Sequence, residues 1–287
     1  MVVLTNGNYV VIDPYWDNGA TTDVGAVYLY NGSTHALIST LTGSTANDQV
    51  GSGGITALTN GNYVVRSPNW DNGTTAVNAG AVTWGSGTTG VSGAVSSSNS
   101  LVGSTTSDNV GSSIITALSN GNYVVSSPYW DNGTTAANAG AVTWGSGTTG
   151  VSGTVSSSNS LVGSTADDNV GASGTITVLS NGNYVVRSGS WDNGAATNAG
   201  AVTWGSGTTG VSGAISSSNS LVGSTTSDNV GNNVMVLSND NYLVISSNWD
   251  NGTTAANVGA VTWGSGTTGI AGIVSSSNSL VGSTNNG

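Results

Sequence analysis

The chain has 287 residues, 45 of them glycine, with no cysteine and a formal net charge of −11. Every acid is Asp and the only basic side chains are Arg66, Arg187 and His35, so no basic patch can be assembled and nucleic acid is excluded as a partner. The lack of Cys excludes a disulfide scaffold, and no apolar run approaches the length of a membrane span, so no membrane insertion is expected.

Taken in chain order, the same elements return five times. Asn-Gly-Asn-Tyr-Val-Val begins at Asn6, Asn60, Asn120 and Asn181, and returns as Asn-Asp-Asn-Tyr-Leu-Val from Asn239. Trp-Asp-Asn-Gly follows at Trp16, Trp70, Trp130, Trp191 and Trp249, and a Gly-Ala-Val strand opens at Gly25, Gly80, Gly140, Gly200 and Gly259. Any function must therefore be read from one unit and multiplied. In the third unit, Ile114 to Leu118 is a short β-rich run, Asn120-Gly121 a hairpin turn of the I′ kind, and Tyr123 to Ser127 the second strand. Pro128 and Asp131-Asn132-Gly133 begin a long loop, Gly140 to Trp144 is the third strand, and the fourth comes from Thr154-Val155 or from Leu161-Val162. Helical periodicity is absent throughout.

Four antiparallel strands per unit, five times over, predict an all-β, five-bladed β-propeller in a single domain, with blades at about 1–51, 52–111, 112–171, 172–231 and 232–287. The rival is a β-solenoid, but solenoids coil parallel rungs at shorter periods, and the Asn-Gly hairpins speak against parallel pairing. No charged and apolar leader follows Met1, so the chain reads as a repeat region of a larger polypeptide or assembly, with any export signal outside it.

Residues 23–54 carry a family likeness. Gly25-Ala26-Val27-Tyr28-Leu29-Tyr30, Leu41-Thr42-Gly43-Ser44 and Asp48-Gln49-Val50-Gly51-Ser52 resemble the order of the FG-GAP repeat of integrin-α-type propellers. Val-Gly stands for Phe-Gly at Val50, Val110, Val170 and Val230, and Ser67-Pro68 and Ser127-Pro128 stand for Ala-Pro. That family's calcium loop between the first two strands has no counterpart here, only a short turn such as Asn60-Gly61. The near-identity of Gly80–Thr105 with Gly140–Thr165 also resembles the amplified repeats of large bacterial filamentous-haemagglutinin-type adhesins. Together these resemblances imply an extracellular or cell-surface bacterial protein.

In the FG-GAP register the Trp-Asp-Asn-Gly loops and the Asp-x-Val-Gly turns share one face. An aromatic ring beside Asp and Asn is the chemistry of sugar recognition, with the ring on the pyranose face and the polar groups on hydroxyls. The candidate ligand-binding residues are thus Trp16, Asp17, Trp70, Asp71, Trp130, Asp131, Trp191, Asp192, Trp249 and Asp250, and the expected partners are glycans or host-surface glycoproteins. Against this stands a plainer role, in which Trp fills the gap between units and Asp-Asn-Gly makes an Asx-type turn. Trp84, Trp144, Trp204 and Trp263 align with Leu29 and read as packing between units.

No cofactor is expected, although Asp48, Asp108, Asp168 and Asp228 are the positions from which a calcium ion could be held if carboxylates converged. Enzyme activity is not expected. His35 occurs once, Arg66 and Arg187 align with uncharged residues elsewhere, and no nucleophile, base and orienting group can be assigned. The sequence thus predicts a non-catalytic adhesion or glycan-binding module, with a structural spacer or self-assembling element as the alternative.

Overall fold

The computed structural model describes residues 1–252 and 255–284, and every regular element in it is a β-strand. The last three positions of the fifth unit, 285–287, lie outside the described residues. The third unit shows the construction. Ile115–Ala117, Tyr123–Ser127, Ala141–Gly145 and Ser160–Val162 pair antiparallel in that order. The hairpin turn is not of the I′ kind. Gly121 has a φ of 87°, while Asn120 keeps an ordinary one; the Gly121 N–H donates to the Leu118 carbonyl at 3.1 Å and the Leu118 N–H to the Asn122 carbonyl at 2.8 Å. That turn aims the Asn120 side chain at the next unit.

Both candidates for the fourth strand form, but in different sheets. Ser160–Val162 closes the unit's own sheet, whereas Gly153–Thr154 pairs parallel with Leu101–Val102 of the unit before. The same loan recurs at Gly93–Ala94 on Leu41–Thr42, Gly213–Ala214 on Leu161–Val162 and Gly272–Ile273 on Leu221–Val222. Each loan is extended by one further bond, as from the Val155 N–H to the Val102 carbonyl at 3.0 Å. Four sheets therefore have five strands and the last has four.

The hydrophobic cores lie between units. Tyr123, Val125, Trp130, Ala141 and Val155 of the third unit pack with Leu58, Val64, Val82, Leu101 and Val110 of the second. Val124, Val142, Leu161 and Val170, from the other face of the same sheet, pack with Tyr184, Val186, Trp191 and Ala201 of the fourth. Alternation along Tyr-Val-Val thus sends successive side chains to opposite neighbours, which is why the strand carries no polar face.

The five-bladed propeller expected from the sequence is overturned. The four-stranded antiparallel unit stands, but the five sheets form an open row and no sheet closes it. Among the described residues no strand pairing or hydrogen bond joins the first unit to the fifth. The physical reason lies in the first unit. Its third strand, Ala26–Tyr30, reaches its fourth, Leu37–Thr42, through the short stretch 31–36, where the second unit uses 86–99. The first unit therefore has no strand to lend, and among the described residues no further strand pairs with the edge of the fifth unit's sheet, Ser279–Val281.

Candidate functional site

The Trp-Asp-Asn-Gly loops sit where one unit meets the one before it. In the third unit the Trp130 N–H donates to the Ser127 carbonyl at 3.2 Å, and the Gly140 N–H returns to the Trp130 carbonyl at 2.9 Å, so the loop is clamped at its root. The indole is turned inward. Trp70, Trp130, Trp191 and Trp249 are each only 3–4% exposed and belong to the cores shared with the preceding unit. Their Nε1 groups find no hydrogen-bond partner among the described residues. Trp16, in the first of the five units, is half-buried. Four of the five rings therefore present no open face to a sugar.

The acids of these loops hold backbone. Asp71, Asp131, Asp192 and Asp250 accept through Oδ1 from the N–H of Asn78, Asn138, Asn198 and Asn257, at 2.6–2.8 Å, and Asp17 does the same for Asp23 at 2.8 Å. The neighbouring Asn side chains bind carbonyls, as Asn132 Nδ2 does with Gly163 at 2.9 Å. The loop is an Asx-type clamp as well as a core plug.

Asp48, Asp108, Asp168 and Asp228 are buried and join consecutive units. Asp108 Oδ2 accepts from the N–H of Ser104 at 2.7 Å and of Thr105 at 2.8 Å, and its Oδ1 accepts from the Thr105 hydroxyl and from the Asp131 N–H at 2.9 Å. Asp168 and Asp228 repeat this set with Asp192 and Asp250. Asp48 accepts three backbone N–H groups, from Ser44, Thr45 and Asp71. Burial raises its carboxyl above the usual range, opposed by those bonds. The FG-GAP resemblance implied that the Val-Gly turn and the Trp loop share one face; the structure links them through the bond from one unit's loop to the preceding unit's Asp. Among the described residues no group of three or more His, Cys, Asp or Glu is placed to hold a metal ion.

The residues that sequence reasoning missed are the asparagines of Asn-Gly-Asn. Asn60 Nδ2 and Asn62 Nδ2 both donate to the Gly147 carbonyl of the next unit at 2.7 Å, and Trp84 Nε1 adds a third bond to the same oxygen at 3.0 Å. Gly207 receives Asn120, Asn122 and Trp144 in the same way, and Gly266 receives Asn181, Asn183 and Trp204. Within its own unit each of these glycines donates its N–H to the second Asn, as Gly147 does to Asn122 Oδ1 at 2.8 Å. An amide ladder therefore runs unbroken from unit to unit. Gly147 must be glycine, because a Cβ there would fall on the Gly121 carbonyl. The pairing of Asn at both ends of every hairpin turn was the available signal.

Arg66 and Arg187 also bridge. Arg66 donates to the Ser113 carbonyl at 2.8 Å and Arg187 to the Asn232 carbonyl at 2.8 Å, each at the start of the next unit. Burial lowers the Arg66 guanidinium below its usual range. The third unit has the buried Ser126 at this position. A cleft of about 290 Å³ opens where the third unit meets the fourth, lined by Ser112, Ser113, Ile114, Tyr129 and Asn169, among others. Tyr129 is 51% exposed there.

Fold and loops together define an open array of β-repeats whose most regular polar residues join one unit to the next. Each unit matches one family model, the DUF5650 repeat of unknown function, over residues 3–52, 57–112, 117–172, 178–232 and 236–287, and the chain belongs to that family. No curated protein matches it.

Proposed function

We propose that the chain is a non-catalytic structural element, a stiff spacer within a larger extracellular or surface-exposed bacterial protein or assembly. The observation that carries this reading is the burial of the Trp-Asp-Asn-Gly indoles, with the adjoining carboxylates occupied by backbone N–H groups. Side chains that would have gripped a ligand instead fasten neighbouring units. A row held by nearest-neighbour contacts gains length with each unit and needs no ligand to be useful. Within one unit, the order of the Gly-Ala-Val strand and the Val-Gly turn supports kinship with the FG-GAP repeat.

A second reading, glycan adhesion, is favoured by one observation, the exposed Tyr129 in its cleft with Ser112, Ser113 and Asn169. An aromatic face with hydroxyl and amide neighbours suits a sugar. A glycan array probed with the intact chain separates the two readings. The spacer reading expects no glycan retained above background. Retention that disappears with Tyr129→Ala, in a variant of unchanged thermal stability, would replace it with the adhesion reading.

A further inference from the structure

The array has four lenders and five borrowers. Lending strands are Gly93–Ala94, Gly153–Thr154, Gly213–Ala214 and Gly272–Ile273, and each is engaged by the unit before it. The fifth sheet offers the same receiving edge, Ser279–Val281, on which no strand lies among the described residues. The consequence is plain at equivalent positions. Leu41, Leu101, Leu161 and Leu221 are fully buried, whereas Leu280 is 81% exposed and Trp263 52% exposed. Clefts of about 400 and 270 Å³ flank Leu280, lined by Ile245, Val258 and Val261 on one side and by Leu243, Val261 and Trp263 on the other. The polar half of the interface is present too. Asn241 already accepts the Gly266 N–H through Oδ1 at 3.0 Å, but among the described residues the Nδ2 groups of Asn239 and Asn241 and the Trp263 Nε1 meet no carbonyl of the kind that Gly147 offers Asn60, Asn62 and Trp84.

We infer that this face is a docking surface for one further repeat of the same family, supplied from outside these 287 residues and bearing the lending segment Gly-Ser-Gly-Thr-Thr-Gly-x-x-Gly followed by two apolar or small residues. The face continues an interface that the chain forms four times, with the same edge strand, the same indole and the same pair of amides. The occupant is not this chain's own first unit, whose 31–36 stretch carries no strand to lend. Nor can lending between copies fill every site, since each copy brings four lenders for five receiving edges and one edge per copy is left over.

The test is a chain in which residues 226–287 follow Thr284, which restores the register between the fourth and fifth units at the new junction. Amide exchange at Leu280 and Val281 is expected to slow by at least about tenfold, and Trp263 emission to shift to the blue, relative to the original chain. Placing Pro at the copy's equivalent of Val274, whose N–H bonds the preceding sheet, should reverse the protection. Leu280→Lys should abolish docking while leaving the melting temperature of the original chain unchanged, because the side chain is exposed in it. Unchanged exchange at Leu280 in the lengthened, folded chain would overturn the inference. So would dimerisation of the original chain that Leu280→Lys prevents, since the occupant would then be a second copy.

Discussion

Trp130 illustrates how a residue with the right chemistry for a ligand can serve packing instead. Its ring fills a core shared by two units and its Nε1 is unpaired, so its value should lie in volume alone. Trp130→Ala should cost about 3–5 kcal/mol in denaturant unfolding, and Trp130→Phe less than about 2, because no hydrogen bond is lost. Equal losses would show that the indole N–H matters after all. The tyrosines that open the second strands add a pH dependence. Burial raises the phenols of Tyr63, Tyr123 and Tyr184 and pushes Tyr242 up to about 12. The Tyr123 and Tyr184 hydroxyls lie near the Val151 and Val211 backbone without closing a well-formed hydrogen bond. A phenol raised in the folded state keeps its proton where the unfolded chain loses it at about 10, so stability should be flat below that pH and fall as pH rises through the folded values. Thermal melts between neutrality and pH 12 should show that decline, together with phenolate absorbance that appears on unfolding.

At the scale of elements, the lent strand and the amide ladder decide how units join. Asn122 donates to Gly207 in the next unit and accepts from Gly147 in its own, at 2.8 Å in both cases. Asn241 makes only the second kind of bond among the described residues. Asn122→Ala should therefore cost about 1–3 kcal/mol, and Asn241→Ala distinctly less, the difference reporting the bond between units. Equal costs would remove the ladder from the account. Much of a single unit was legible in the sequence, because turn residues and Tyr-Val-Val runs encode local strand pairing. The partner of a strand two residues long was not. Thr154-Val155 stood out as a candidate strand of its own unit, but the pairing of Gly153–Thr154 with Leu101–Val102 is decided by the neighbouring sheet. The same limit hid the role of Asn60 and Asn62, since a hairpin turn explains asparagine without any reference to another unit. Burial of Trp70 and its equivalents was likewise a property of the interface, and a loop signature cannot reveal which way a ring turns.

For the whole molecule, the closed disc failed where the sequence was in fact informative. The third-to-fourth-strand connection is short only in the first unit, and a row in which each later unit lends a strand backwards cannot close through a first unit with none to lend. Nearest-neighbour coupling has a mechanical consequence. Removing residues 112–171, which joins Gly111 to Ala172 in register, should leave a folded chain of four units with a smaller unfolding m-value, whereas a ring would be broken by the same deletion. The most direct measurement of an open row is small-angle X-ray scattering from this four-unit chain, from the five-unit chain, and from a three-unit chain in which Gly111 is joined to Asn232. The account predicts a greatest dimension that rises by a similar step with each unit added. A five-unit chain no longer than the three-unit one would mean that the first and fifth units meet, and the open array would be contradicted.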